Sequence, residues 1–192
     1  MLKISINKLL VTFIACLWTL SQGIASENYP QVEMVTSSGT FVLELDRNRA
    51  PVTVENFLSY VKEGFYEDII FHRVIEGFVI QAGGYTKDFE EKETKPDIIN
   101  ESGNGLKNQR MSIGMARNNL PHTGSSQFYI NLVNNYSLDP IPTRWGYAVF
   151  GDVIDGMNVV DAIGHSATES KQDLQNVPVA PIIILKARII GE

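Results

Sequence analysis

The chain is poor in cysteine, histidine and positive charge, and each shortage removes a class of function. One cysteine, Cys16, in 192 residues excludes an internal disulfide framework and a multi-cysteine zinc centre, because both need cysteines in sets. The three histidines, His72, His122 and His165, stand far apart and lack any H-x-x-x-H or histidine–carboxylate spacing. The sequence therefore predicts no metal site, and nothing in it calls for a cofactor. Lys plus Arg number 16 against 22 Asp plus Glu, a formal charge of −6. Nucleic acid and anionic lipid demand clustered cations, so neither is expected as a main partner. With 15 glycines and 8 prolines, collagen-like and low-complexity chains are excluded too. Gly124-Ser125-Ser126 fails the G-x-S-x-G pattern of a serine nucleophile, and Gly83-Gly84 lacks the further glycines and lysine of a phosphate loop.

Long hydrophobic runs are also scarce, and the one present sits at the start. Met1 to Lys8 carries two lysines and no acid, Leu9 to Leu20 is apolar, and Gly23-Ile24-Ala25 places small residues before a cut after Ala25. A basic start, a short apolar middle and a small-residue exit make a secretory signal over residues 1–25, leaving one domain over 26–192. Twelve apolar residues cover only ~18 Å of helix, against a hydrocarbon core of ~30 Å, so a membrane span fits poorly. Lipid attachment at Cys16 fits less well than cleavage, since Leu17, Trp18 and Leu20 prolong the apolar run beyond it. Without residues 1–25 the chain has no cysteine, which suits an oxidising compartment. The expectation is an exported, periplasmic protein that is free of the membrane once the leader is removed.

What the remaining chain does have is alternation. Gln31 to Val35 and Gly39 to Leu45 read as a β-hairpin around Thr36-Ser37-Ser38-Gly39. Pro51 to Lys62 reads as a helix starting near Ala50 or Thr53, with Val54, Phe57, Leu58 and Val61 on one face and Gly64 as the stop. Strands are expected at Ile69 to Val74, Phe78 to Gln81, Met111 to Ala116, Phe128 to Asn131, Tyr147 to Phe150 and Ile182 to Ile190. A second helix over Gly156 to Ile163 would bury Met157, Val160 and Ile163. Asp88 to Asp97, rich in acids, reads as a solvated loop, and Gly164 to Val177 as a polar stretch. About eight strands with two helices and no repeat point to one closed or nearly closed antiparallel sheet.

Three stretches carry the chemistry: Phe71-His72-Arg73-Val74, Gly77-Phe78-Val79-Ile80-Gln81-Ala82-Gly83-Gly84 and Ser125-Ser126-Gln127-Phe128-Tyr129-Ile130. Two-residue periodicity puts Val79 with Gln81, and Gln127 with Tyr129, on single faces. The set offers an arginine, two glutamines and apolar or aromatic side chains, but no group tuned for proton transfer or nucleophilic attack. Such a set suits a reaction in which no covalent bond is made or broken. Taken alone, each of these residues reads as ordinary strand surface or core, and His72 as a structural, hydrogen-bonded histidine. Their joint spacing argues otherwise.

In these motifs the sequence resembles the cyclophilins, prolyl cis–trans isomerases. The resemblance continues through Met115-Ala116-Arg117, Leu138-Asp139, Tyr147-Ala148-Val149-Phe150-Gly151 and Gly156-Met157, covers roughly Gln31 to Ile190, and looks most like the secreted bacterial branch. It implies a mainly β fold, a closed eight-stranded antiparallel β-barrel capped by two α-helices. It implies Arg73 and Gln81 as catalytic residues, with Phe78, Val79, Tyr129 and Leu138 lining a proline pocket. Ala116 and Arg117 would pair with the peptide, Gln127 would face the groove, and Tyr147 would stand where many members have His. Val79 and Tyr129 replace the more usual Met and Phe. Ser137 replaces the Trp of eukaryotic members, so weak cyclosporin inhibition is expected. The implied partners are proline-containing unfolded or flexible polypeptides, bound by a monomer that assists the folding of exported proteins. Two other readings stay open: a holdase that keeps the groove with little turnover, and a scaffold acting through Asp88 to Asp97.

Overall fold

The computed structural model describes residues 27–191, so the leader and Cys16 lie outside the described residues. Strands β1 (Gln31–Thr36) and β2 (Gly39–Leu45) form the expected hairpin, with Met34 opposite Phe41 and Val32 opposite Leu43. These apolar residues are fully buried while the residues between them face outward. Helix α1 (Pro51–Lys62) presents Val54, Phe57, Leu58 and Val61 to the core as its spacing predicts. Ala50 occupies the cap position without a side-chain bond. The first-turn amides that lack a partner within the helix are satisfied from far along the chain: the Glu101 carboxylate accepts from Val52 N at 3.2 Å, Thr53 N at 2.8 Å and Thr53 Oγ1 at 2.7 Å.

The expected strand Ile69 to Val74 is two strands, β3 (Ile69–Ile70) and β4 (Arg73–Ile75). The backbone changes partners between them. Ile69 and Ile70 pair with Ile184 and Ile183 of β11 (Ile183–Ile190), whereas Arg73 pairs with Gln81 of β5 (Val79–Ala82). Strands β6 (Ser112–Met115), β7 (Phe128–Asn131) and β8 (Val149–Asp155) complete a curled, all-antiparallel, nine-stranded sheet of order β3-β11-β1-β2-β8-β6-β7-β5-β4. The expected eight strands become nine through the split. The expected closure is not a continuous ladder either: β3 and β4 are not paired, and β3 is bridged to the chain just beyond β5, with Ile69 opposite Thr86 and Ile70 N donating to Tyr85 O at 2.9 Å.

The strand expected at Tyr147 begins two residues later. Tyr147 N donates to Leu138 O at 2.9 Å, which holds Tyr147 against a loop instead of a neighbouring strand. Helix α2 (Met157–Gly164) buries Val160 and Ile163, but Met157 is exposed and leaves the predicted apolar face. The polar stretch after it contains an unforeseen hairpin, β9 (Thr168–Lys171) and β10 (Leu174–Pro178). All four residues of β9 are exposed, so there is no apolar alternation by which to recognise it. Phe57 anchors α1 in the core, its ring 5.2 Å from Tyr66, 5.6 Å from Phe128 and 5.3 Å from Phe150. Phe128 lies next to Tyr129 in β7, so this aromatic cluster fixes the strand that carries the candidate site.

Candidate active site

A row of four residues crosses the sheet. Arg73 on β4 faces Gln81 on β5, Gln81 faces Tyr129 on β7, and Tyr129 faces Gly114 on β6. Directly opposed residues share a face and lie within side-chain reach. Arg73 Nη1 donates to Gln81 Oε1 at 3.1 Å, and Gln81 Nε2 donates to Gln127 Oε1 at 2.9 Å. Gln127 is held from below, since Tyr66 Oη donates to Ser126 O at 2.9 Å and Asn56 Nδ2 to Ser125 O. Gly83 has φ +99°, and a Cβ there would lie 2.5 Å from Ser126 O, so only glycine lets the end of β5 pass this segment.

Tyr129 is 4% exposed. Its hydroxyl donates to Asn108 Oδ1 at 2.5 Å, and burial first, then the neighbouring Tyr147 and Asp139, pushes its pKa well above the usual tyrosine value. Asn108 is itself locked, its backbone N–H and its Nδ2 both donating to Asp139 Oδ1 at 2.9 Å. Asn131 Nδ2 donates to Ser112 Oγ at 2.9 Å, and Asn135 Nδ2 donates to Asn131 Oδ1 at 2.7 Å and to Phe78 O at 2.9 Å. This buried polar network ties down three walls at once: Tyr129 through Asn108, Leu138 through its neighbour Asp139, and Phe78 through Asn135.

Above the network lies an open cavity of about 210 Å³, lined by Arg73, Phe78, Val79, Gln81, Ala116, Arg117, Tyr129, Leu138 and Tyr147. Nine of the ten residues singled out in the sequence are thus brought together. The tenth, Gln127, lines an adjoining groove of about 500 Å³ that shares Gln81, Ala116 and Arg117 with the cavity. The acidic loop expected to be merely solvated borders that groove through Glu91, Glu93 and Asp97. It is also fastened to α1, with Lys95 N donating to Tyr60 Oη at 2.8 Å.

The two arginines differ in how much of their donor capacity is spent. Arg117 stacks over Tyr147 with Cζ 4.4 Å from the ring centroid, and donates to Gly146 O, Trp145 O and Asn118 O at 3.2, 3.1 and 2.9 Å. Among the described residues, Arg73 makes one side-chain hydrogen bond, to Gln81, and its Cζ lies 5.9 Å from the Phe78 ring centroid. A guanidinium carries five N–H donors, so Arg73 reaches the cavity with most of its fork unspent. His72 next to it is buried, with Tyr85 4.8 Å away and Nδ1 unpartnered. Burial and then the Arg73 charge lower its pKa to about 4. The expected structural, hydrogen-bonded histidine is borne out by its bond to the Ile70 backbone, while Nδ1 is left without a partner.

Of the bracing residues, Asp139 falls in the Leu138-Asp139 motif, while Asn108, Asn131 and Asn135 carry no signal in the sequence analysis. Asn131, Asn135 and Asp139 recur every four residues in one stretch, a spacing that could have flagged them, and the fold brings Asn108 to them from another segment.

Residues 31–189 match the family model described as cyclophilin type peptidyl-prolyl cis-trans isomerase/CLD. The chain is 50% identical to peptidyl-prolyl cis-trans isomerase cyp18 of Streptomyces antibioticus over 83% of this chain and 98% of the relative. It is 44% identical to peptidyl-prolyl cis-trans isomerase A of Dickeya dadantii over 94% and 95%. A crystal structure of a Cryptosporidium parvum cyclophilin-type isomerase in the presence of the dipeptide Ala-Pro superposes with a TM-score of 0.70 at 26% identity, covering 84% of this chain and 99% of that one. A mainly β fold with two helices, an arginine at a cavity with aromatic and aliphatic walls, and relatives of this identity lead to one assignment: the chain belongs to the cyclophilin-type peptidyl-prolyl cis–trans isomerases.

Proposed function

We propose that Arg73 is the catalytic residue and that the 210 Å³ cavity holds the proline ring of an unfolded or flexible polypeptide while the preceding carbonyl turns. An amide resists rotation by ~18–20 kcal/mol because its nitrogen lone pair is shared with the carbonyl. When the bond twists, that pair localises on nitrogen, which becomes a hydrogen-bond acceptor. A guanidinium fixed beside it binds the twisted state better than either planar state, and differential binding of this kind lowers the barrier. Gln81 acts by holding the fork in place, Nη1 to Oε1 at 3.1 Å. Phe78, Val79, Tyr129, Leu138 and Tyr147 supply the walls. Ala116 spends its N–H on Gln127 O at 2.9 Å, so its contact with the peptide falls to its carbonyl.

The observation that carries this reading is the largely unspent donor fork of Arg73 at the cavity. Exchange spectroscopy on a proline-containing peptide tests it. Arg73→Ala should lower turnover about 10²–10³-fold, the loss of one preorganised donor worth ~2.7–4 kcal/mol. Arg73→Lys, which keeps the charge but not the fork, should recover no more than about tenfold of it. Equal turnover in the parent and Arg73→Ala would refute the assignment. The leader motif and the absence of cysteine from 26–192 support a site of action in the periplasm, on exported proteins, as in the secreted bacterial branch.

A further inference from the structure

Three loops converge beside the cavity, and their apolar side chains have no part in the site described above. Asn100 knots them together. Its Nδ2 donates to Pro121 O and to Gly146 O, both at 3.0 Å, and its backbone N–H donates to His122 Nδ1 at 3.0 Å. The His122 ring stands edge-on to Trp145, 5.1 Å between centroids. Around this knot Ile99 is 60% exposed, Leu120 69% and Trp145 48%. Single exposed hydrophobics are ordinary. Several held together by side-chain hydrogen bonds, beside a functional cavity, mark a contact surface.

The Trp145 loop adjoins the cavity. Arg117 lines the cavity and also holds Trp145 O and Gly146 O. We propose that Ile99, Leu120 and Trp145 form an apolar docking rim for the same polypeptide whose proline enters the cavity, gripping apolar side chains some residues away from that proline. A folded protein has already buried such residues, whereas an unfolded one displays them along with its prolines. The rim thus selects unfolded chains over short peptides. This inference rests on the assignment of the cavity to the proline ring.

The test compares two substrates with the Leu120→Ser/Trp145→Ser double variant of the intact chain. One is a tetrapeptide with a single proline. The other is an unfolded protein whose refolding is limited by proline isomerisation. On the tetrapeptide, kcat/KM should stay within about twofold of the parent. On the unfolded protein it should fall at least about fivefold, through KM, the change produced by about 1 kcal/mol of lost contact. Trp145→Phe, which keeps an apolar ring, should retain the parent rate on both. Unchanged catalysis on the unfolded protein overturns the proposal. So does an equal loss on both substrates, or sedimentation in which the parent dimerises and the double variant does not, which would assign the rim to a second copy. Arg73→Ala on the tetrapeptide separates these outcomes, because only a failure of the cavity assignment leaves that variant fully active.

Discussion

Gly114→Ala reverses the usual sign of its substitution. Glycine inside a strand is normally worse than alanine by about 0.5–1 kcal/mol, and β6 gives Gly114 an ordinary negative φ, so local propensity predicts a gain. The contacts predict a loss. A Cβ at this position would lie 2.3 Å from both Cζ and Oη of Tyr129 and 2.8 Å from Cε1. The ring cannot simply tilt, because its hydroxyl is bonded to Asn108 and Asn108 is held by two bonds to Asp139. Either the ring moves into the cavity or the buried bond breaks. Overpacking costs about 1–3 kcal/mol, a buried hydrogen bond broken to relieve it about 0.5–1.5 kcal/mol, and the strand propensity returns about 0.5–1 kcal/mol, so stability should fall by about 1–3.5 kcal/mol. Urea unfolding of residues 26–192 measures this, and a proline-peptide assay should show KM rising as the ring crowds the cavity. Tyr129→Phe should cost about 1 kcal/mol in the parent. It should cost less in the Gly114→Ala background, where the hydroxyl bond is already broken. A Gly114→Ala variant as stable as the parent, with unchanged KM, would refute the coupling between this glycine and the cavity floor.

Two further predictions concern pH and processing. His72 has its pKa lowered to about 4 by burial, then by Arg73; as pH falls below 6.5 the unfolded chain takes up the proton that the folded chain refuses. Stability should therefore drop by about 1.6 kcal/mol between pH 6.5 and 5, and urea melts of His72→Gln should lose that slope whatever its absolute stability. A slope unchanged in the variant would assign the effect to other groups. Expression of the full chain with an export pathway should yield a periplasmic product whose N-terminal sequence starts at Ser26. A product retaining residues 1–25, or lipidated at Cys16, would overturn the cleavage reading.

The local elements were legible because their signals are local. Two-residue alternation marked β1 and β2, the spacing of Val54, Phe57, Leu58 and Val61 marked α1, and the motifs around Arg73, Gln81 and Tyr129 marked the strands that form the cavity. Signals that depend on a distant partner were not. Ile69 to Val74 reads as one strand because every residue in it favours a strand, yet its halves pair with β11 and β5 on opposite ends of the sheet. The exposed β9 carries no burial pattern to read. The cap of α1 comes from Glu101, nearly fifty residues downstream.

By itself, then, the sequence determined which side chains could serve a bond rotation, because residue type and strand periodicity decide what is presented and on which face. Only the tertiary structure decided that Arg73 rather than Arg117 keeps its donors unspent, and that Asn108, Asn131, Asn135 and Asp139 brace the cavity. Hydrogen-bond saturation depends on which carbonyls and carboxylates arrive from elsewhere in the chain, and nothing short of the packed fold brings them together.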